Sequence, residues 1–165
     1  MPDGFAGADV AIAGSGAGSA ASAPFVLSHF EYEQHIFLPA SPARVWAAFT
    51  LDLDQWWTYR LRDRTRCTIE TFVGGRWMQE WDNGGALFGN FTVWDPPKLL
   101  CVTGPLAMTR PAHNVLEFHF EPADTGTNLR VHHTAYGDFE PDTSEMYSSG
   151  WRELIGGALH SYLSR

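Results

Sequence analysis

Over residues 29–38 apolar and polar side chains alternate, with Phe30, Tyr32, Gln34, Ile36 and Leu38 on one side. That period of two predicts a strand with one buried face. Pro39 ends it. Ser41 is placed to cap a helix whose first position is Pro42, where the missing N–H costs nothing. Val45, Trp46 and Phe49 form the apolar side of that helix, and residues 52–56 read as a second short helical turn. A charge-rich irregular segment runs on to Arg66. The period of two then returns and predicts strands at residues 67–73, 76–81, 86–94, 98–103, 114–120 and 127–136. Turn formers separate them: Gly74-Gly75, Asp82-Asn83-Gly84-Gly85, Asp95-Pro96-Pro97, a loop bracketed by Gly104-Pro105 and Arg110-Pro111, and a turn over residues 121–126.

The last segment changes period again. Thr143 or Ser144 caps a helix running to about residue 163, in which Tyr147, Trp151, Leu154, Ala158 and Tyr162 recur at spacings of three and four. Ile155 and Leu159 widen the stripe. Gly150, Gly156 and Gly157 each weaken such a helix by up to about 1 kcal/mol relative to Ala. A helix that keeps them packs very close to a sheet or leaves room for a ligand beside it. The order of elements makes an α+β sandwich. Hairpin spacing gives an antiparallel sheet of about six or seven strands, and the long helix covers its apolar face, since neither layer stands alone.

The 165 residues suit one domain, placed at residues 27–165. Residues 1–26, rich in Gly, Ala and Ser, read as a flexible tail without the basic start and apolar run of a signal peptide. A formal charge of -8 disfavours nucleic acid and anionic membrane surfaces as partners. No run of about 20 apolar residues offers a membrane span. Seven Trp and eleven Phe hint at an aromatic-lined interior. Cys67 and Cys101 lie in no CxxC pair. Two buried free thiols is the simplest reading, with one bridge open if their strands are neighbours. Two scarce, unpaired cysteines suit a reducing, cytoplasmic setting.

Several short motifs occur in a telling order: Ser41-Pro42 with Val45-Trp46, the Trp56-Trp57 pair, Gly74-Gly75-Arg76-Trp77, Gly89 with Asp95-Pro96-Pro97, Gly126-Thr127-Asn128-Leu129, and Gly150-Trp151 with Leu154. The set resembles the START-like (Bet v 1-like, SRPBCC) superfamily, in particular the branch related to the Hsp90 ATPase activator homologue, over about residues 30–163. The resemblance implies a helix-grip fold: a curved antiparallel sheet wrapped around a long C-terminal helix, with two short helices after the first strand and a cavity between sheet and helix. It brings no universal catalytic motif, because the same fold binds lipids, carries out ring chemistry and docks on other proteins.

Three functions stay open. A binding domain would hold a small hydrophobic or aromatic molecule between sheet and helix, with Trp57, Trp77, Trp81, Phe91 and Trp151 burying it and Asn114 and His133 orienting it. Trp77, Gln79 and Trp81 share a strand face, as do Phe91 and Val93 on the next strand, but plain core packing accounts for the same residues. His133 shares the phase of Leu129 and Val131, and a core histidine must find hydrogen-bond partners there. An enzyme acting on a hydrophobic substrate, of cyclase, aromatase or hydrolase type, would use His133, Asn114, Tyr59 or Tyr136 to polarise a carbonyl or move a proton. A protein-interaction module related to chaperone ATPase activation would instead keep a closed core. Arg60 and Arg62, after Tyr59, either meet a ligand carboxylate at the cavity mouth or belong to a solvated loop. Glu70 and Glu80 face solvent near Arg76. The sequence carries no HExxH, no His/Cys/Cys spacing, no GxSxG elbow and no phosphate loop, so it calls for no metal, cofactor or assigned catalytic residue. An exposed edge strand leaves a homodimer open.

Overall fold

The computed structural model describes residues 26–165, so the tail expected over residues 1–26 lies, Val26 apart, outside the described residues. β1 (Ser28–Leu38) leads into α1 (Pro42–Thr50) and α2 (Leu53–Trp56). Six strands follow: β2 (Arg66–Ile69), β3 (Arg76–Trp81), β4 (Gly84–Asp95), β5 (Leu99–Gly104), β6 (Ala112–Ala123) and β7 (Gly126–Gly137). A continuous helix closes the chain as α3 (Thr143–Glu153), a π-helical stretch (Leu154–Leu159) and α4 (His160–Leu163). The strands make one antiparallel sheet in the order β1-β7-β6-β5-β4-β3-β2. It curves around the C-terminal helix, which is the helix-grip arrangement.

The alternating pattern sets the inner face. Leu38, Leu100, Leu116, Phe118, Leu129 and Val131 point inward and are buried against Phe49 of α1 and Ile155 and Leu159 of the last helix. Ser41 caps α1 as its type predicts, its Oγ accepting from the Arg44 N–H at 3.3 Å. Gly126 sits where a side chain would run into the Leu38 carbonyl, so β7 approaches β1 and α1 closely enough for the buried Thr127 hydroxyl to donate to Ala40 O at 2.7 Å.

Four local features depart from the expected pattern. The strand expected over residues 67–73 stops at Ile69. Glu70 takes Arg76 by its backbone N–H and both ends of its guanidinium, and Gly74 adopts a φ of +89°, so the chain turns and leaves Phe72 and Val73 exposed. A bulge between Phe91 and Val93 reverses the phase of β4. Val93 therefore faces out, and Trp94 turns in to meet Trp46 at 5.4 Å. Neither Thr143 nor Ser144 caps α3. Thr143 is already its first residue, with its N–H donating to Glu140 O at 3.1 Å. The helix also widens to a π-helix over the stretch that contains Gly156 and Gly157. Cys67 and Cys101 are buried and unbridged, on β2 and β5, which are not neighbours in the sheet.

Candidate functional site

A cavity of about 190 Å3 lies between the sheet and α3, open at one end. Three groups of residues build it. The segment after α2 contributes Trp57, Tyr59 and Leu61, and the helix contributes Met146, Tyr147, Trp151 and Leu154. Two loops form the roof: residues 106–110 between β5 and β6, and residues 138–140 between β7 and α3. Phe88 of β4 closes the floor.

The segment after α2 and the two roof loops are each held by definable contacts. Gln79 of β3 is fully buried, and its amide accepts from the Leu61 N–H at 2.9 Å and donates to Tyr59 O at 2.8 Å. A buried side-chain amide thus fixes the irregular segment that carries Tyr59. Arg60 is spent on the same segment, bonded to Asp54 and to the Thr65 carbonyl. Arg62 stacks over the Trp81 ring, 4.9 Å from its centroid. Neither arginine reaches the cavity, so a ligand carboxylate would not meet them there. In the first roof loop, Leu106 and Ala107 both adopt positive φ, 48° and 60°. Their N–H groups bond to Phe88 O at 2.8 Å and Leu87 O at 3.0 Å, which holds that unfavourable backbone in place. Arg110 joins the two roof loops. Its Nε and Nη2 donate to the two carboxylate oxygens of Asp138, each at 2.9 Å, and its Nη1 pairs with Glu140.

The expected site residues divide into three sets. Trp57, Tyr59 and Trp151 line the cavity. Trp77 stands behind the wall, edge-on to Trp57 at 5.1 Å and stacked on Phe88 at 5.3 Å, while Phe91 packs on Trp94 at the far side of the core. Trp81 lies outside, under Arg62. The indole N–H groups of Trp57, Trp77 and Trp151 have no hydrogen-bond acceptor among the described residues and are covered by neighbouring rings.

Asn114 and His133 are not in the lining. They form a buried chain behind it. Asn114 Nδ2 donates to Gly104 O at 3.1 Å, which leaves its Oδ1 to accept from His133 Nε2 at 2.9 Å. Nε2 therefore carries the imidazole proton, and Nδ1 accepts the Tyr32 hydroxyl at 2.9 Å. Burial pushes the His133 pKa down to about 3, helped by the neighbouring His132, so the ring stays neutral. These groups couple the sheet to the site by contact. Asn114 Nδ2 also reaches Met108 Sδ at 3.9 Å in the roof loop, and the His133 ring meets the cavity-lining Tyr147 edge-on at 5.6 Å.

Several lining residues escape sequence reasoning: Leu106, Ala107, Met108, Phe139 and the Arg110–Asp138 pair. One signal was present. Leu106-Ala107-Met108 is an apolar run inside a turn-bracketed loop, and such a run is costly unless it covers something. The remaining polar surface of the cavity comes from Thr109, Thr143, Tyr59 and Tyr147. Burial pushes the Tyr59 hydroxyl up to about 12, and burial together with Tyr59 raises that of Tyr147, so both stay neutral.

Residues 39–164 match the family described as activator of Hsp90 ATPase homolog 1-like protein. The chain belongs to that family. Among solved structures it is similar to an uncharacterized protein of Rhizobium leguminosarum, with 17% identity and a TM-score of 0.69 over 87% of this chain and 99% of that one. A protein of Mesorhizobium loti shares 24% identity, with a TM-score of 0.61 over 82% and 98% of the two chains. CalU16 of Micromonospora echinospora shares 16% identity, with a TM-score of 0.56 over 86% and 85%. These likenesses establish the fold. No curated protein matches the chain. Among the described residues no helix is long and apolar enough to cross a membrane.

Proposed function

We propose that this domain binds a small, ring-bearing apolar molecule in the cavity between sheet and helix. The observation that carries the reading is the wall itself. Trp57, Phe88, Phe139, Tyr147 and Trp151 converge from four separate segments on one space of about 190 Å3. An apolar protein cavity of roughly 150 Å3 accommodates one benzene ring. The space therefore suits one ring with a short substituent, and a longer ligand would project through the open end. Burying about 200 Å2 of apolar surface contributes roughly 5 kcal/mol before ordering costs.

Native mass spectrometry of freshly purified protein, with solvent extraction of what travels with it, tests the reading. A reproducible small-molecule mass is expected, lost on unfolding and absent from Met146→Trp, which fills the cavity from α3. A co-purifying mass retained in full by Met146→Trp contradicts it.

Family membership favours a second reading, and bears on it more directly than on the first: a protein-interaction module related to Hsp90 ATPase activation. It predicts that the domain raises the ATPase rate of a partner chaperone, and that Met146→Trp raises it equally. An unchanged ATPase rate at saturating domain counts against it. An enzyme in the same cavity would need a proton-transferring group in the wall. His133 is engaged by Asn114 and Tyr32 behind the wall, which removes the imidazole as a candidate for that role.

A further inference from the structure

From the charges at the cavity mouth we infer that the ligand is an organic amine: its ring lies among the aromatic walls and its protonated nitrogen sits at the rim against Asp138 and Glu140. The inference rests on the cavity reading above and adds the charge class of the ligand. The charged residues lining the cavity are Arg110, Asp138 and Glu140. One cation and two carboxylates leave the mouth with a net charge of -1. A carboxylate ligand would have to take Arg110 from Asp138 or Glu140, and would bring a third anion to the same spot. An ammonium group brings the mouth to neutrality.

Arg110 already shows what this carboxylate pair holds. It is a cation bound at the rim by the two acidic side chains, in two-pronged fashion by Asp138. Three of its nitrogens are engaged, which leaves little of the guanidinium for a ligand anion. The Glu140 side chain is 66% exposed and pairs with Arg110 through one carboxylate oxygen, so it keeps acceptor capacity. Inside the mouth the rings of Phe139, Tyr147 and Trp57 line the cavity, and an aromatic ring attracts a cation that approaches over its face. The whole chain, at -8, adds a long-range field of the same sign.

Three probes of one shape and different charge test the inference: 2-phenylethylamine, 2-phenylethanol and 3-phenylpropanoate. Each is titrated into the full chain at pH 7 and followed by tryptophan fluorescence. The amine is expected to bind roughly threefold to tenfold more tightly than the alcohol, and the propanoate more weakly than both. Added salt should narrow the gap. Glu140→Gln should bring the ratio of amine to alcohol affinity close to one. Arg110→Gln, which frees the carboxylates, should raise that ratio. If the alcohol binds and the amine gains nothing over it, or Glu140→Gln leaves their ratio unchanged, the charge assignment falls and the cavity reading stands. If none of the three binds, the cavity reading falls and takes the inference with it.

Discussion

His133 shows how a single residue's role follows from its partners. Its phase on β7 places it in the core, and the Asn114 amide and Tyr32 hydroxyl fix both ring nitrogens in the neutral form. The consequence is a pH dependence with a defined sign. The ring's pKa falls from 6.5 to about 3 on folding, so below pH 6.5 the unfolded chain binds a proton that the folded chain refuses. The stability that His133 contributes is therefore complete above pH 6.5, and falls by about 1.4 kcal/mol per pH unit below it until about pH 3. Urea unfolding at pH 7 and pH 5 should show a loss of roughly 2 kcal/mol. His133→Gln should be less stable at pH 7 and should lose much less between the two pH values. An equal loss in the variant would place the titrating group elsewhere. The position of His133 was readable from alternation with Leu129 and Val131. Its place behind the cavity wall was not, because that depends on where the roof loop and Tyr147 come to rest.

The strands were legible because each repeats its pattern over several residues, and the turns because Gly, Pro, Asn and Asp announce them. What stayed hidden were single-residue insertions and the loop geometry. The bulge after Phe91 reverses one strand's phase with no change in composition, so Val93 and Trp94 exchange sides. The roof comes from residues 106–110 and 138–140, two loops without periodicity that Arg110 joins. The π-helical stretch was foreshadowed only by Gly156 and Gly157. A side chain at Gly156 would touch Ile36 of β1 at 3.6 Å, an ordinary contact, and one at Gly157 would meet nothing within 4 Å. Neither glycine has a positive φ among the described residues. The helix therefore keeps Gly157 at a site that Ala would tolerate. Gly157→Ala should raise the unfolding free energy by about 0.5–1 kcal/mol, read from urea midpoints. Gly157 also lines a shallow groove with Thr58 and Ala158 beside the cavity, and a destabilised variant would mean that the groove closes in solution.

In the molecule as a whole, the curved sheet and the long helix cannot fill the space between them at the end where the roof loops lie. Toward Leu38, Phe49 and Leu159 the two layers interdigitate into solid core. Toward Trp57, Tyr147 and Trp151 they part, and aromatic side chains line the gap instead of filling it. Family membership and the likeness to solved structures agree with this frame without specifying what enters it. Titration with 2-phenylethanol, a neutral ring with a two-carbon arm, probes that space without invoking the charged rim. It should be followed in 1H–15N spectra of the full chain, where each indole N–H gives its own signal. Saturable shifts are expected at the indole signals of Trp57 and Trp151 and at the amides of residues 106–109, with the Trp81 indole unmoved. Shifts that never saturate, or that gather at Trp81 and the outer face of the sheet, would mean that the space between sheet and helix is not a binding site.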